Sequence, residues 1–289
     1  RDGDSDYDLM NFSVCDDCRY GIANYKSATV LFDLGVGTNP SFSSFDVAWT
    51  ADAIWGAFTF DYSGQQYLVA SDLGTSPCGN HMSGVYQFNS TDENANPLLQ
   101  CLDGGTSGRK MVNGLKVTGP GPTALYMSEK FDKFHIYEIQ TSPTFNLVYK
   151  GNAGIEKANM ERGHGINVDL DAGLMAVAED STVQVYDIGW GSGTPSNPGF
   201  LSSRNFSVDV NAVGIKYPIL WVSRQNTVGN NHTFTIESPT SIVPLDQAFW
   251  DTSQPWNNLG ACVKDRDVAF NFDGSAMYLT RYSVLQVID

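Results

Sequence analysis

The sequence predicts an all-β chain made of repeated four-stranded units, and three observations carry that expectation. An apolar run, a small residue and a charge recur as "QYLVASD", "ALYMSEK", "LMAVAED", "ILWVSRQ" and "AMYLTRY". The charges in these copies, Asp72, Glu129, Glu179, Arg224 and Arg281, are spaced by 57, 50, 45 and 57 residues, which is the period of a repeat architecture. Around each copy stand further short runs rich in branched and aromatic residues, closed by Gly, Asp or Pro, with no helical periodicity between them.

Taken in chain order, each copy is preceded by one strand: "GAFTFDYSG", "NGLKVTG", "GHGINVDLDAG", "NAVGIKYP" and "RDVAFNFDGS". A third strand follows as "GVYQFN", "FHIYEIQ", "TVQVYDI", "HTFTIES" and "VLQVID", and a fourth in "PLLQCLDGG", "FNLVYKG" and "GFLSSRNF". Four short strands at this spacing describe the blades of a β-propeller, here five four-stranded blades in a single domain over 26–289. The fifth copy stops at Asp289 after its third strand, and "SATVLFDLG" at 27–35 is a strand with no blade of its own. The expected ring therefore closes by this N-terminal strand pairing with the C-terminal blade, which covers edges that would otherwise stand open. Residues 1–25 are expected as a tail outside the repeat.

The segments "GVYQFN…NPLL" and "GSAMYLTRYSVLQVID" resemble the LVIVD-type repeats of extracellular β-propellers, in which a strand of "YLV" type leads to one ending in "VID". The resemblance covers most of the chain from about residue 56 onward. It implies blades and an extracellular setting, and it names no activity, since propellers host hydrolases, lyases, lectins and scaffolds alike.

Composition narrows the partners. With 17 basic against 32 acidic residues the net charge is -15, a field that repels phosphate and excludes nucleic acid or an anionic membrane as the main partner. No apolar run approaches the roughly 20 residues that span a bilayer, and the opening "RDGDSDYD" is no signal peptide, so a secreted form is expected to have lost its leader. Sequons at Asn11, Asn89, Asn205 and Asn231 point to a eukaryotic secretory lumen and an extracellular glycoprotein. Five cysteines allow at most two bridges. Cys78 and Cys101 are expected to pair because they fall in one repeat, and Cys15 and Cys18 of "CDDC" to be structural, since neither a redox setting nor a second zinc-ligand pair accompanies them.

Chemistry is expected at one mouth of the channel, ringed by the five charges and by residues opening each first strand: Trp55, Asn113, Arg162 with His164, Asn211, and Lys264 with Asp265 and Arg266. A charge ending a strand is most often a solvated turn residue, but gathering carboxylates and guanidinium groups beside a channel costs desolvation that a function would explain. His164 lies between two glycines in "MERGHGINVD", and an unperturbed imidazole titrates near neutrality, as a proton-transfer group should. His81 follows Asp72 in a loop tied down by Cys78 and can fold over the same mouth. Arg162, Arg224, Arg281 and Arg266 offer paired donors that match a carboxylate. With His164 as base and Tyr282 as acid, the set suits elimination beside a uronate carboxyl. Asp72 with Glu129 or Glu179 instead suits glycoside hydrolysis, which needs two carboxyls roughly 5 to 10 Å apart.

The expected function is thus a secreted carbohydrate-active enzyme, a lyase or hydrolase, working on an acidic glycan. The alternative is a non-catalytic glycan-binding or wall-associated propeller using Trp55, Trp190, Trp250 and Trp256 as sugar platforms. The expected ligand is a carbohydrate or other small anion, and the expected state a monomer. No cofactor or metal site is required. The alternating Asp2, Asp4, Asp6 and Asp8 leave calcium as an option, without the glycine and glutamate of an EF-hand loop.

Overall fold

The computed structural model describes residues 9–14, 20–25, 29–33, 41–44, 54–72, 75–76, 78–80, 83–88, 96–102, 111–129, 134–153, 166–179, 181–206, 210–224, 231–238, 241–244, 265–270, 277–281 and 284–288. They form antiparallel sheets with meander order. The first sheet joins β1 (Leu9–Val14), β2 (Tyr20–Tyr25), β3 (Thr29–Asp33) and β4 (Ser41–Ser44). The second has β5 (Ile54–Tyr62), β6 (Gln65–Asp72), β9 (Ser83–Gln87) and β10 (Leu98–Leu102); the small hairpin β7 (Thr75–Ser76) and β8 (Gly79–Asn80) interrupts the chain after β6. The third has β11 (Met111–Val117), β12 (Ala124–Glu129), β13 (Phe134–Gln140) and β14 (Asn146–Ala153). The fourth has β15 (Ile166–Asp169), β16 (Leu174–Glu179), β17 (Thr182–Asp187) and β18 (Gly199–Asn205). The fifth has β19 (Val210–Lys216), β20 (Ile219–Arg224), β21 (Asn231–Ser238) and β22 (Ser241–Pro244). The sixth has β23 (Asp265–Phe270), β24 (Met277–Arg281) and β25 (Val284–Ile288).

Three expectations change here. The strand "SATVLFDLG" contributes β3, whose two edges are already occupied by β2 and β4, so it has no edge left for the final strand. Residues 1–25 hold β1 and β2 of that same sheet rather than a tail outside the repeat. Beside the β7–β8 hairpin, the described residues form six sheets of three or four strands where five were expected, and they divide into two compact units, Arg1–Lys116 with Ile139–Val148 and Val117–Glu138 with Tyr149–Asp289. The physical reason is compositional: "YGIANY" and "SFSS" lack the apolar run that marks the other copies.

That run reflects burial on both faces, which makes a strand read as continuously hydrophobic instead of alternating. In β16, Leu174, Ala176 and Ala178 pack in one cluster with Val183, Val185, Val213, Ile215, Leu220 and Val222, uniting the fourth and fifth sheets. Met175 and Val177, on the opposite face of β16, are buried as well. Trp221 of β20 is fully buried. In the first unit, Phe60 stacks on Tyr67 at 5.1 Å between ring centres and Tyr67 on Phe145 at 4.2 Å. Burial pushes the Tyr67 phenol above its ordinary pKa, with the Tyr62 phenol adding in the same direction.

First strands of successive sheets lie side by side, β1 against β5 in one unit and β15, β19 and β23 in the other. Polar side chains fasten these neighbours. Lys116 Nζ donates to the Asp61 carbonyl at 2.6 Å. In the second unit Lys216 Nζ donates to Asp169 at 3.3 Å and Asp171 at 2.7 Å, while Asn167 Oδ1 accepts from the Ile215 N–H. The hydrogen bond to Asp171 is the chief cause holding the Lys216 ammonium above its ordinary pKa.

Cys78, at the turn of the β7–β8 hairpin, is bonded to Cys101 of β10. The bridge spans 23 residues, so chain entropy alone gives it about 3 kcal/mol. A Cys78→Ser, Cys101→Ser variant is expected to unfold at correspondingly lower denaturant, with reductant lowering the wild type by more than the variant; equal midpoints for both proteins without reductant would refute this.

Candidate functional site

The five charges of the repeat occupy one station in the strands. Asp72 is the last residue of β6, Glu129 of β12, Glu179 of β16, Arg224 of β20 and Arg281 of β24. Each therefore ends the second strand of its sheet. Four of the six sheets add a second regularity opposite that station. Pairing runs Leu9 with Tyr25, Ile54 with Asp72, Val210 with Arg224 and Asp265 with Arg281, and in each case the next residue of the first strand is left out of the ladder. The residues so extruded are Met10, Trp55, Asn211 and Arg266. A bulge bends the strand and breaks its in–out alternation, a device common beside functional sites.

In the second unit, β19 lies between β15 and β23. The corner Asn211–Arg224 thus adjoins the corner Arg266–Arg281, with Glu179 ending β16 of the neighbouring sheet. Glu129 belongs to the same unit, whereas Asp72, Trp55 and Asn113 of β11 belong to the first. Tyr25 and Met10 hold the equivalent stations of the first sheet and escaped sequence reasoning because neither carries a charge and their strands lack the apolar run. His164, Arg162, Tyr282, His81, Lys264, Asn89, Cys15 and Cys18 lie outside the described residues. So do Trp250, Trp256 and the acidic opening with Asp2, Asp4, Asp6 and Asp8. Among the described residues no cluster of three or more metal-ligating side chains occurs.

Of the sequons, Asn11 falls in β1 and Asn231 opens β21. Asn205 ends β18 exposed, with its amide nitrogen 3.2 Å from Ser181 Oγ and 3.3 Å from Thr182 Oγ1. His135 is buried against Tyr149, as a core histidine would be.

The opposite strand ends of the second unit carry a group the sequence did not disclose. Asp187, 5% exposed, closes β17 and turns its carboxylate into the loop that follows. Oδ1 accepts from the N–H groups of Gly189 and Gly191 at 2.8 and 3.0 Å, and Oδ2 from Gly193 at 2.8 Å. Burial pushes this carboxyl up, but the backbone donors of Gly191, Gly193, Gly189 and Trp190 together outweigh it and hold its pKa below the ordinary value. Asp169, equally buried, accepts from the N–H groups of Ala172 and Tyr217 and from Lys216. The two segments so held present Trp190 and Tyr217, ring centres 4.6 Å apart and planes 59° apart, both partly exposed. Tyr126 secures the far side of the loop, its hydroxyl donating to the Pro195 carbonyl at 2.7 Å, and burial drives that phenol far above its ordinary pKa. The only trace of this site in the sequence is "DIGWGSG", one acid and one Trp among glycines.

Comparison with solved structures places this architecture. The chain is similar to the β-propeller domain of Cps50 (Swd1) from Myceliophteria thermophila, with a TM-score of 0.62 and 9% identity over 96% of this chain and 82% of that one. The protein is accordingly a β-propeller. At that identity the likeness speaks for the fold alone. No protein-family profile matches the sequence, and no curated protein does. Among the described residues no helix is long and apolar enough to cross a membrane.

Proposed function

We propose that the protein is a secreted glycoprotein that cleaves an acidic glycan, with its site in the second unit around the corner formed by Asn211, Arg224, Arg266 and Arg281. The observation that supports this reading is the placement of three arginines at matching stations of adjacent sheets, two ending second strands and one at a bulge, in a chain of net charge -15. Arginines at neighbouring strand stations in so acidic a chain suit a ligand that brings its own carboxylate. Arg162, four residues before β15, would join them.

In elimination, His164 takes the proton from the carbon beside the uronate carboxyl. The C–O bond at the next carbon breaks, a C=C bond forms between the two, and Tyr282 returns a proton to the departing oxygen. The arginines stabilise the charge that develops on the carboxylate as the proton leaves. Glu129 and Glu179, in the same unit, would supply an acid and a base for hydrolysis instead. The blade number and the closure of the ring belong to this proposal too: six blades, the last completed by a strand other than β3. Calcium enters only if turnover proves to depend on it.

The test is a panel of acidic polysaccharides, followed separately by absorbance of unsaturated uronate and by reducing ends. Arg224→Ala and His164→Ala are each expected to lower kcat/KM by about 100-fold on the polymer that is cleaved. Unchanged turnover in both variants would remove the site, and the absence of any cleavage across the panel would leave the non-catalytic reading. That alternative, a glycan-binding propeller, is favoured by one particular: the exposure of Trp190 beside Tyr217.

A further inference from the structure

We infer that the second unit carries, at the strand ends opposite Glu179 and Arg224, a binding face for a neutral, β-linked hexopyranose chain, with Trp190 and Tyr217 as its platform. The two faces are distinct because β16 begins beside one and ends at the other: Leu174 follows the turn that holds Asp171, and Glu179 closes the strand. The inference is independent of catalysis at the arginine corner.

Its first support is that the aromatics are positioned at some cost. Trp190 is 37% exposed and Tyr217 38%, yet the backbone beneath each is pinned by a buried carboxylate. The loop of Trp190 hangs on Asp187, and the Trp190 N–H donates to the Gly173 carbonyl at 3.2 Å. Tyr217 donates its backbone N–H to Asp169 at 2.8 Å. Ionised carboxylates are expensive to bury, and here two of them order segments whose side chains face water.

The second support is the pairing of chemistry. The rings lie tilted rather than closed on one another, and next to Tyr217 the Lys216–Asp171 ion pair has the Asp171 side chain 61% exposed. A pyranose with equatorial hydroxyls has the same division, with flat faces of axial C–H groups that rest on aromatic rings and an equator of hydroxyls that bond to charged groups. The local balance of Asp169, Asp171, Asp187 and Lys216 is negative, which excludes a uronate here and separates this ligand from the one proposed above. A protein partner fits poorly. Among the described residues, the exposed apolar side chains at these strand ends are Trp190, Tyr217, Leu170 and Phe200, which expose roughly 450 Å² together, against roughly 800 Å² per partner in a stable interface.

The test titrates the full chain calorimetrically with cellohexaose and with chitohexaose. Binding of at least one is expected, weakened about tenfold by Trp190→Ala and by Tyr217→Ala, and unaltered by Tyr217→Phe or Arg224→Ala. Should Trp190→Ala lower the thermal transition, Trp190→Phe is expected to keep both fold and most of the affinity, and carries the comparison. No heat with either oligosaccharide at millimolar concentration would overturn the inference, as would binding indifferent to Trp190→Ala. Self-association that Trp190→Ala abolishes would assign the face to a second copy and overturn it equally. Failure of the uronate assay with these results intact would strike only the arginine corner.

Discussion

Asp187→Ala is expected to lower the thermal midpoint by roughly 10 °C, corresponding to about 4 kcal/mol. The carboxylate is the acceptor for Gly189, Gly191 and Gly193, so its removal strands three N–H groups around a cavity. Gly191 is exposed and can turn to water, whereas Gly193 is buried against the Asp187 backbone and cannot, which keeps the cost below the sum of three lost bonds. Asp187→Asn retains a single acceptor oxygen and should fall between. The same bonds set a pH dependence. The native pKa lies below the unfolded one, so the carboxylate contributes fully above the ordinary carboxyl value of about 3.9 and loses that contribution as pH falls through the native pKa. The gap between wild type and Asp187→Ala, followed by urea denaturation from pH 7 downward, should therefore stay level to about pH 4 and shrink below it. A variant whose midpoint lies within about 2 °C of wild type at neutral pH would show that the loop is held by something other than this carboxylate.

The strands themselves were legible where burial is two-sided. "LMAVAE" and "ILWVSR" read as strands because every position before the closing charge is apolar or small, and the structure covers both faces of β16 and of β20. The Cys78–Cys101 bridge was legible for a related reason, since membership of one repeat implies proximity. β1, β2 and β4 were not, because a six-residue strand such as "YGIANY" has neither alternation nor continuous apolarity, and β22 was missed as four residues ending in Pro244. A strand's existence does not name its partner: "SATVLFDLG" is legible as β3, but β2 and β4, which fill its edges, are not. Register was equally out of reach. Trp55, Asn211 and Arg266 stand out in the sequence for their place at the opening of a first strand, and the slip that extrudes them is a property of the pair, set by how many residues face one another. Asp187 escaped for a further reason: its partners are backbone N–H groups, which every residue but proline carries and no sequence pattern advertises.

Gly173→Ala should be as damaging as Asp187→Ala, and Gly64→Ala supplies the comparison that says why. Both glycines have left-handed backbone, φ 66 for Gly173 and φ 75 for Gly64, so an alanine at either site bears the same conformational penalty of about 1 kcal/mol. Gly64 ends the Ser63–Gly64 turn between β5 and β6, where a Cβ would meet nothing within 4 Å. At Gly173 a Cβ would stand 2.5 Å from the Gly189 carbonyl carbon and 2.5 Å from the Trp190 nitrogen, both backbone atoms that no rotamer change can move aside. The turn and the loop must separate, which breaks the bonds from the N–H groups of Ile188 and Trp190 to the Gly173 carbonyl. An expected loss of about 4 kcal/mol at Gly173 against about 1 kcal/mol at Gly64 isolates the close approach from the backbone strain. Because the displaced loop carries Trp190, the Gly173→Ala protein should also lose binding of the oligosaccharide that the wild type retains, while Gly64→Ala leaves it untouched. Equal destabilisation at the two sites would mean that the loop yields freely, and the fixed aromatic platform would fall with it.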